Sequence, residues 1–196
     1  MTAQRRLFLT AGAAALAGSL VGCAGIGGAP WVTLLDGSSL AGWTPVGAGH
    51  WSIVDGTVQG LNGTAGFLVS KDSYSDFEIR AEFWADDKAN SGIFIRCQDR
   101  ASITADNSYE VNIFDQRPDP TYGTAAIVNI AKVIPMPKAG GRWNTFEITA
   151  KGDQLVVVFN GQKTVDVRDS KHRSGPIALQ SAAGTIRFRK VQIRTL

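Results

Sequence analysis

The chain has 196 residues, 44% of them hydrophobic and 19% charged, with 20 basic against 17 acidic side chains and a formal net charge of +3. Residues 1–22 hold two arginines and no acids, so without them the net charge is +1. That balance is no evidence for a nucleic-acid partner, which needs a concentrated basic patch. The length suits one domain with its own core.

In chain order, the first feature is an export pattern. Arg5-Arg6 followed by Leu7-Phe8-Leu9 resembles a twin-arginine signal, and LVGC (Leu20 to Cys23) matches a bacterial lipobox. The apolar run from Leu7 to Val21 falls short of the roughly 20 residues that span a bilayer, which favours a cleaved signal. Residues 1–22 are therefore expected to be a lipoprotein signal and residues 23–30 a short tether acylated at Cys23. Such a protein would sit on the exported side of a bacterial membrane, held only by its N-terminal lipid. Cys97 is then the single remaining cysteine, without an internal disulfide partner, and its position in a strand favours burial.

From Trp31 onward β-rich runs alternate with turn residues. They cover 49–60, 76–85, 91–98, 108–115, 144–152, 154–167 and 184–195. Phe77, Ile79, Ala81 and Phe83 alternate with Glu78, Arg80 and Glu82, the period of a half-buried strand. Asn160-Gly161 between two such runs predicts a two-residue hairpin, because both residues tolerate positive φ; Asp36-Gly37, Asp55-Gly56 and Asn62-Gly63 mark further turns. No helical period of useful length follows the signal. The pattern predicts one all-β domain over 31–196, an antiparallel β-sandwich. Residues 117–138, with four prolines, read as long loops around the apolar stretch 125–133, and loops of that length are often functional. RFRKVQIR (Arg187 to Arg194) reads as a strand with a wet basic face.

Three motifs place polar side chains within the apolar runs: NSGIFIR (Asn90 to Arg96), YEVNIFD (Tyr109 to Asp115) and GPIALQ (Gly175 to Gln180). Strand parity sets Glu110 and Asn112 opposite Tyr109, Val111 and Ile113. It sets Phe94 and Arg96 opposite Ile93 and Ile95, and Gln180 opposite Ile177 and Leu179. With the apolar set in the core, Arg96, Glu110, Asn112 and Gln180 all point outward, supplying donors and acceptors suited to sugar hydroxyls. Phe114 is a candidate stacking platform. A guanidinium beside Glu110 would keep it ionised, and Asp115 offers a second acid. Solvated outer-face residues on unrelated strands remain the plain alternative. GxSxG, HExxH, P-loop and CxxC patterns are absent. His50 and His172 read as surface residues, and the five tryptophans as mainly core. An all-oxygen divalent-metal site on Glu110 or Asp115 stays open without a spacing signature.

Eight segments in order, LLDGSSLAGW (Leu34 to Trp43), WSIVDGTVQG, YSDFEIRAEF, NSGIFIR, YEVNIFD, RWNTFEI, FNG and GPIALQSAAGTIRFRKVQI, resemble the 3-keto-disaccharide hydrolase domain family. The resemblance implies a concanavalin A-like lectin/glucanase jelly roll and cleavage of 3-keto-glucosides by elimination followed by hydration. It also implies roles: Glu110 as base or metal ligand, Arg96 polarising the ketone, Asp115 as acid or second ligand. Asn112, Gln180, Phe94 and Asn90 would bind the sugar. The chain departs from the family pattern at Ala183-Gly184, where His-Gly is frequent, at Asn112, where Gln is frequent, and at Arg189-Lys190-Val191. A non-catalytic carbohydrate-binding lipoprotein is the alternative this leaves.

Overall fold

A computed structural model describes Met1 and residues 28–61 and 65–196. The signal, Cys23, most of the tether and the Asn62-Gly63 turn lie outside those residues. Among the described residues, thirteen strands form two antiparallel sheets. In chain order they are β1 (Val32–Leu35), β2 (Trp43–Gly47), β3 (His50–Val54), β4 (Thr57–Leu61), β5 (Gly66–Ser70), β6 (Phe77–Ala85) and β7 (Ser91–Ile95). They continue as β8 (Tyr109–Ile113), β9 (Arg142–Lys151), β10 (Gln154–Phe159), β11 (Gln162–Arg168), β12 (Ala178–Ser181) and β13 (Ile186–Thr195). The larger sheet runs β11-β10-β9-β6-β13-β4-β3, with β1 also on β13; the smaller runs β2-β5-β12-β7-β8. The expected sandwich is present, and β1, β2 and β5 add to the runs singled out in the sequence.

The turns follow from residue chemistry. Asn160 (φ 49°) and Gly161 (φ 81°) close the β10–β11 hairpin, and Asp55 (φ 49°) and Gly56 (φ 68°) close β3–β4, both with the positive φ of a type I′ turn. Between the sheets, Phe77, Ile79, Phe83, Phe146, Ile148, Phe188 and Ile193 meet Leu68, Ile93, Ile95, Tyr109, Val111, Ile113 and Leu179. Phe83 stacks on Phe146 at 5.1 Å, and Phe159 leans on Phe146 at 5.2 Å. Each such side chain contributes roughly 1.5–3 kcal/mol on burial.

The outer face of the larger sheet is charged, as the alternation predicted. Its tryptophans are not core. Trp31 lies between the guanidinium groups of Arg80 (4.4 Å) and Arg194 (4.8 Å), and Trp143 lies under Arg189 (4.3 Å). Of the five tryptophans only Trp43 is buried. His172 is also buried, against the expectation of a surface residue, with its ring edge-on to Tyr109. Cys97 is buried as expected, and burial pushes its thiol up to about 12.

Arg96 overturns its predicted placement. β7 ends at Ile95, and Arg96 takes a left-handed φ of 53°, so strand parity stops applying to it. Its side chain turns inward and is fully buried. Nε and Nη2 donate to the Ser75 carbonyl (2.9 and 2.7 Å), Nη1 to the carbonyls of Gly152 (2.8 Å) and His172 (3.1 Å), and Nη2 also to Asp76 (3.2 Å). Gly175 passes so near that a Cβ there would sit 2.3 Å from the Cys97 carbonyl oxygen, so only glycine fits this part of GPIALQ. Arg96 is a structural bolt. Arg96→Ala should lower stability by about 4 kcal/mol by leaving buried carbonyls without donors, which is roughly 10 °C in Tm for a domain this size. Arg96→Lys should lose much of the same, since an ammonium lacks the planar fork; thermal unfolding within about 3 °C of wild type for both variants would refute the assignment.

Candidate functional site

The smaller sheet keeps the rest of the predicted face. Pairing of Phe94 with Glu110 and Gly92 with Asn112 sets these four residues on one side of β7 and β8. Pairing of Leu179 with Ile93, and of Gln180 with Phe67, brings Gln180 beside Gly92 on that same side. Asn112 and Gln180 therefore flank Gly92, with Glu110 diagonally adjacent. Gly92 is the floor: a Cβ there would come within 3.3 Å of the Glu110 Cγ and 3.2 Å of the Phe94 ring.

This outward face is not simply wet. Every residue of β8 is buried, Glu110 and Asn112 included, because the proline-rich segment folds beside it. Asn112 N–H donates to the Ala126 carbonyl (3.0 Å), Ala125 N–H to that of Asn112 (2.9 Å) and Val128 N–H to that of Glu110 (3.0 Å). The predicted loop thus extends the sheet edge. Asp115 holds it there: its carboxylate accepts from Thr124 Oγ1 (2.6 Å) and from the N–H groups of Ala139 (3.0 Å) and Gly140 (2.9 Å). With its oxygens so engaged, Asp115 is a loop clamp rather than the free acid expected.

Three acceptors remain unmatched. Asn112 Nδ2 donates to the Tyr122 carbonyl (2.7 Å), which orients the amide, while its Oδ1 is buried without a partner. Gln180 Oε1 is buried without a partner as well. Among the described residues no hydrogen bond reaches the Glu110 carboxylate, and burial pushes its pKa from 4.5 up to about 7, with Arg117 pulling it part of the way back. The cation near Glu110 is thus Arg117, not Arg96. Desolvation outweighs it, so Glu110 is not held ionised as the sequence suggested. Arg117 was missed because it sits in a loop, where parity says nothing; its position two residues beyond Asp115 was the available signal.

Phe94, expected to bind the sugar, is not open to it. It is buried in a small second cluster with Val69, Ala178, Cys97 and Ile103, edge-on to Phe67 at 5.2 Å. Asn90 is half-buried at the rim, bridged through its backbone to Ala183. Among the described residues no three His, Cys, Asp or Glu side chains group as metal ligands would, and Asp115 is committed to the loop, so the divalent-metal option finds no ligand set here. A recess of about 400 Å³ lies elsewhere, lined by residues such as Leu34, Asp36, Trp43, Ser70 and Asp72. Hydrogen bonds from Ser38 hold its Asp36 carboxylate below the ordinary value, and we place the site at Glu110 on chemical grounds.

The family model described as the 3-keto-alpha-glucoside-1,2-lyase-like domain matches residues 30–194. The chain is 25% identical over 169 residues to the 3-keto-disaccharide hydrolase of Bacteroides thetaiotaomicron, covering 70% of this chain and 57% of that relative's length. A candidate glycosyl hydrolase from Parabacteroides distasonis superposes with a TM-score of 0.76 at 17% identity, over 85% of this chain and 94% of the other. The carbohydrate-binding module CBM66 of Bacillus subtilis superposes with 0.62 at 21% identity, over 79% and 96%. The fold is the concanavalin A-like sandwich expected from the sequence.

The raised pKa of Glu110 has a thermodynamic consequence. An unfolded glutamate ionises near 4.5 and the folded one near 7, so the folded state binds more protons between those values and stability falls as pH rises through them. The loss above pH 7 is on the order of 3 kcal/mol. Glu110→Gln removes it, and the variant should melt about 8 °C above wild type at pH 8 and level with it at pH 4. A Tm for the variant at pH 8 equal to or below wild type would contradict this.

Proposed function

We infer the function of this chain from the family to which it belongs, the 3-keto-alpha-glucoside-1,2-lyase-like domain family, together with the chemistry at Glu110. We propose that it cleaves 3-keto-glucosides. The observation that supports this most is a buried carboxylate with a pKa of about 7, lying beside two amide oxygens that lack partners.

A ketone at C3 of a glucoside acidifies the proton on C2. Glu110 takes that proton, the electrons pass into the C2–C3 enolate, and the C1–O bond then breaks. The departing oxygen picks up a proton and the sugar is left as an enone. Water adds at C1, and protonation at C2 restores the 3-keto sugar, so the net change is hydrolysis. A base with its pKa near the working pH is well matched to such a step, ionised in a useful fraction and still basic enough to pull the proton. Asn112 Oδ1 and Gln180 Oε1 accept hydrogen bonds from sugar hydroxyls on either side of Gly92. Arg117 supplies positive charge on the loop that flanks the base, favouring the enolate.

The same proposal includes export and acylation at Cys23, supported by the lipobox and the preceding arginines. Mass spectrometry of the protein from its native envelope should find a diacylglyceryl group on Cys23, and an unmodified Met1 would refute it.

Incubation with 3-keto-trehalose or 3-keto-lactose should release 3-keto-glucose. The rate constant kcat/KM should rise with pH through about 7, because the base acts in its ionised form. Glu110→Gln should lose about 10²–10⁴-fold. Gly92→Ala, which crowds the floor, should raise KM. Absence of turnover on every 3-keto-glucoside offered, across pH 5 to 9, would reject the reaction.

A further inference from the structure

The sugar-facing side of the smaller sheet is polar at one end only. Beyond Gln180, moving away from Glu110, the next residue across the sheet is Phe67, and beyond it Val46. The neighbouring row runs from Glu110 through Phe94 and Ala178 to Val69 and then Thr44. Phe67 and Val46 are half-buried and pack on the cluster of Val69, Phe94 and Ala178. This cluster is separate from the main core and lies on the opposite side of the sheet from it.

Strands lie about 4.8 Å apart. Asn112 and Gln180, two strand spacings apart across the glycine floor, leave the width of one pyranose ring between them. A ring held there has Phe67 one spacing beyond Gln180, where the group attached to the sugar would extend. The Phe67 ring is held edge-on against Phe94 at 5.2 Å, so its orientation is set before anything binds.

The chemistry of this second half selects its occupant. A second sugar would bring several hydroxyls that lose water on binding and need partners. Among the described residues of these two rows, Phe67 and Val46 present apolar side chains, Val69 and Ala178 are buried with Cys97 and Ile103, and only Thr44 at the far edge is polar. Unmatched hydroxyls cost roughly 1–3 kcal/mol each. A flat aromatic group loses nothing polar and stacks on the Phe67 ring.

We propose that Phe67, with Val46 beside it, forms an aglycone subsite that takes aromatic groups, so that aryl 3-keto-glucosides rather than disaccharides are the preferred substrate class. This rests on the reading of the Glu110 region as a sugar site, but its test does not need catalysis.

The test is the affinity of the full chain for 4-nitrophenyl α-glucoside and for methyl α-glucoside, measured calorimetrically. Neither carries a ketone, so neither is turned over. The expected result is at least about tenfold tighter binding of the aryl glucoside, the gain from covering one aromatic ring. Phe67→Ala should abolish that preference and Phe67→Trp should keep it, with Tm measured for both. If Phe67→Ala fails to fold, Phe67→Leu, which keeps apolar bulk without a planar ring, should still reduce the preference severalfold. Equal affinity of wild type for the two glucosides, no binding of either, or a preference that survives loss of the ring would overturn the subsite. Aryl preference without turnover of any 3-keto-glucoside would support the subsite and reject the reaction. Turnover without aryl preference would do the reverse.

Discussion

A single buried guanidinium joins the parts on which the sandwich depends. Arg96 leaves the end of β7 in the smaller sheet and binds the Ser75 carbonyl at the entry to β6 and the Gly152 carbonyl at the β9–β10 turn, both belonging to the larger sheet. It also binds His172, in the loop that leads towards β12. Three chain segments distant in sequence are therefore fixed to one rigid, planar donor. The bolt needs backbone carbonyls to converge, and convergence needs Gly175 to pass without a Cβ. Two motifs that look functional in the sequence, NSGIFIR and GPIALQ, owe part of their pattern to this joint.

Glu110 is the opposite case. Arg96 is buried with its donors matched; Glu110 is buried with no hydrogen bond and carries an elevated pKa as the cost. A fold selected for stability alone would place an apolar or paired residue there. The burial comes from the loop after β8, which stays in place because Asp115 binds Thr124, Ala139 and Gly140. Asp115 therefore acts on the Glu110 environment at one remove. By pinning the loop it keeps water from Glu110 and sets the segment that carries Arg117. Strain of this kind, concentrated at one face and offset by a well-packed core, is what separates a site from ordinary surface.

The two sheets treat their outer faces differently. On the larger one, arginines and glutamates pair across strands, as in Arg189–Glu82 (2.6 Å) and Arg80–Glu147 (3.6 Å), while tryptophans lie beneath the guanidinium groups. Those charges remain solvated and contribute little each. On the smaller sheet, loops shelter the outer face, and the same alternation yields a half-buried strip graded from carboxylate and amides to aromatic and aliphatic side chains. That gradient lies perpendicular to the strands, along a row of cross-strand partners.

Much of the architecture was legible in the chain by itself. Period-two alternation marked the strands, Asn160-Gly161 marked a hairpin and Asp55-Gly56 a turn, and the ordered motifs pointed to the family, because these signals are local or repeat along the chain. Parity also put Glu110, Asn112 and Gln180 on one face, since all three lie within regular strands. What sequence reading missed has a common physical origin. Arg96 left the parity rule through one positive φ, a backbone state set by contacts with distant segments. Asp115 became a clamp, Phe94 was covered and His172 was buried because loops remote in sequence folded over them. Arg117 approached Glu110 by the same route, and the pKa of Glu110 followed from how much water that loop excludes. Local chemistry determines which residues share a strand face; only the tertiary fold decides which of them are left without a partner.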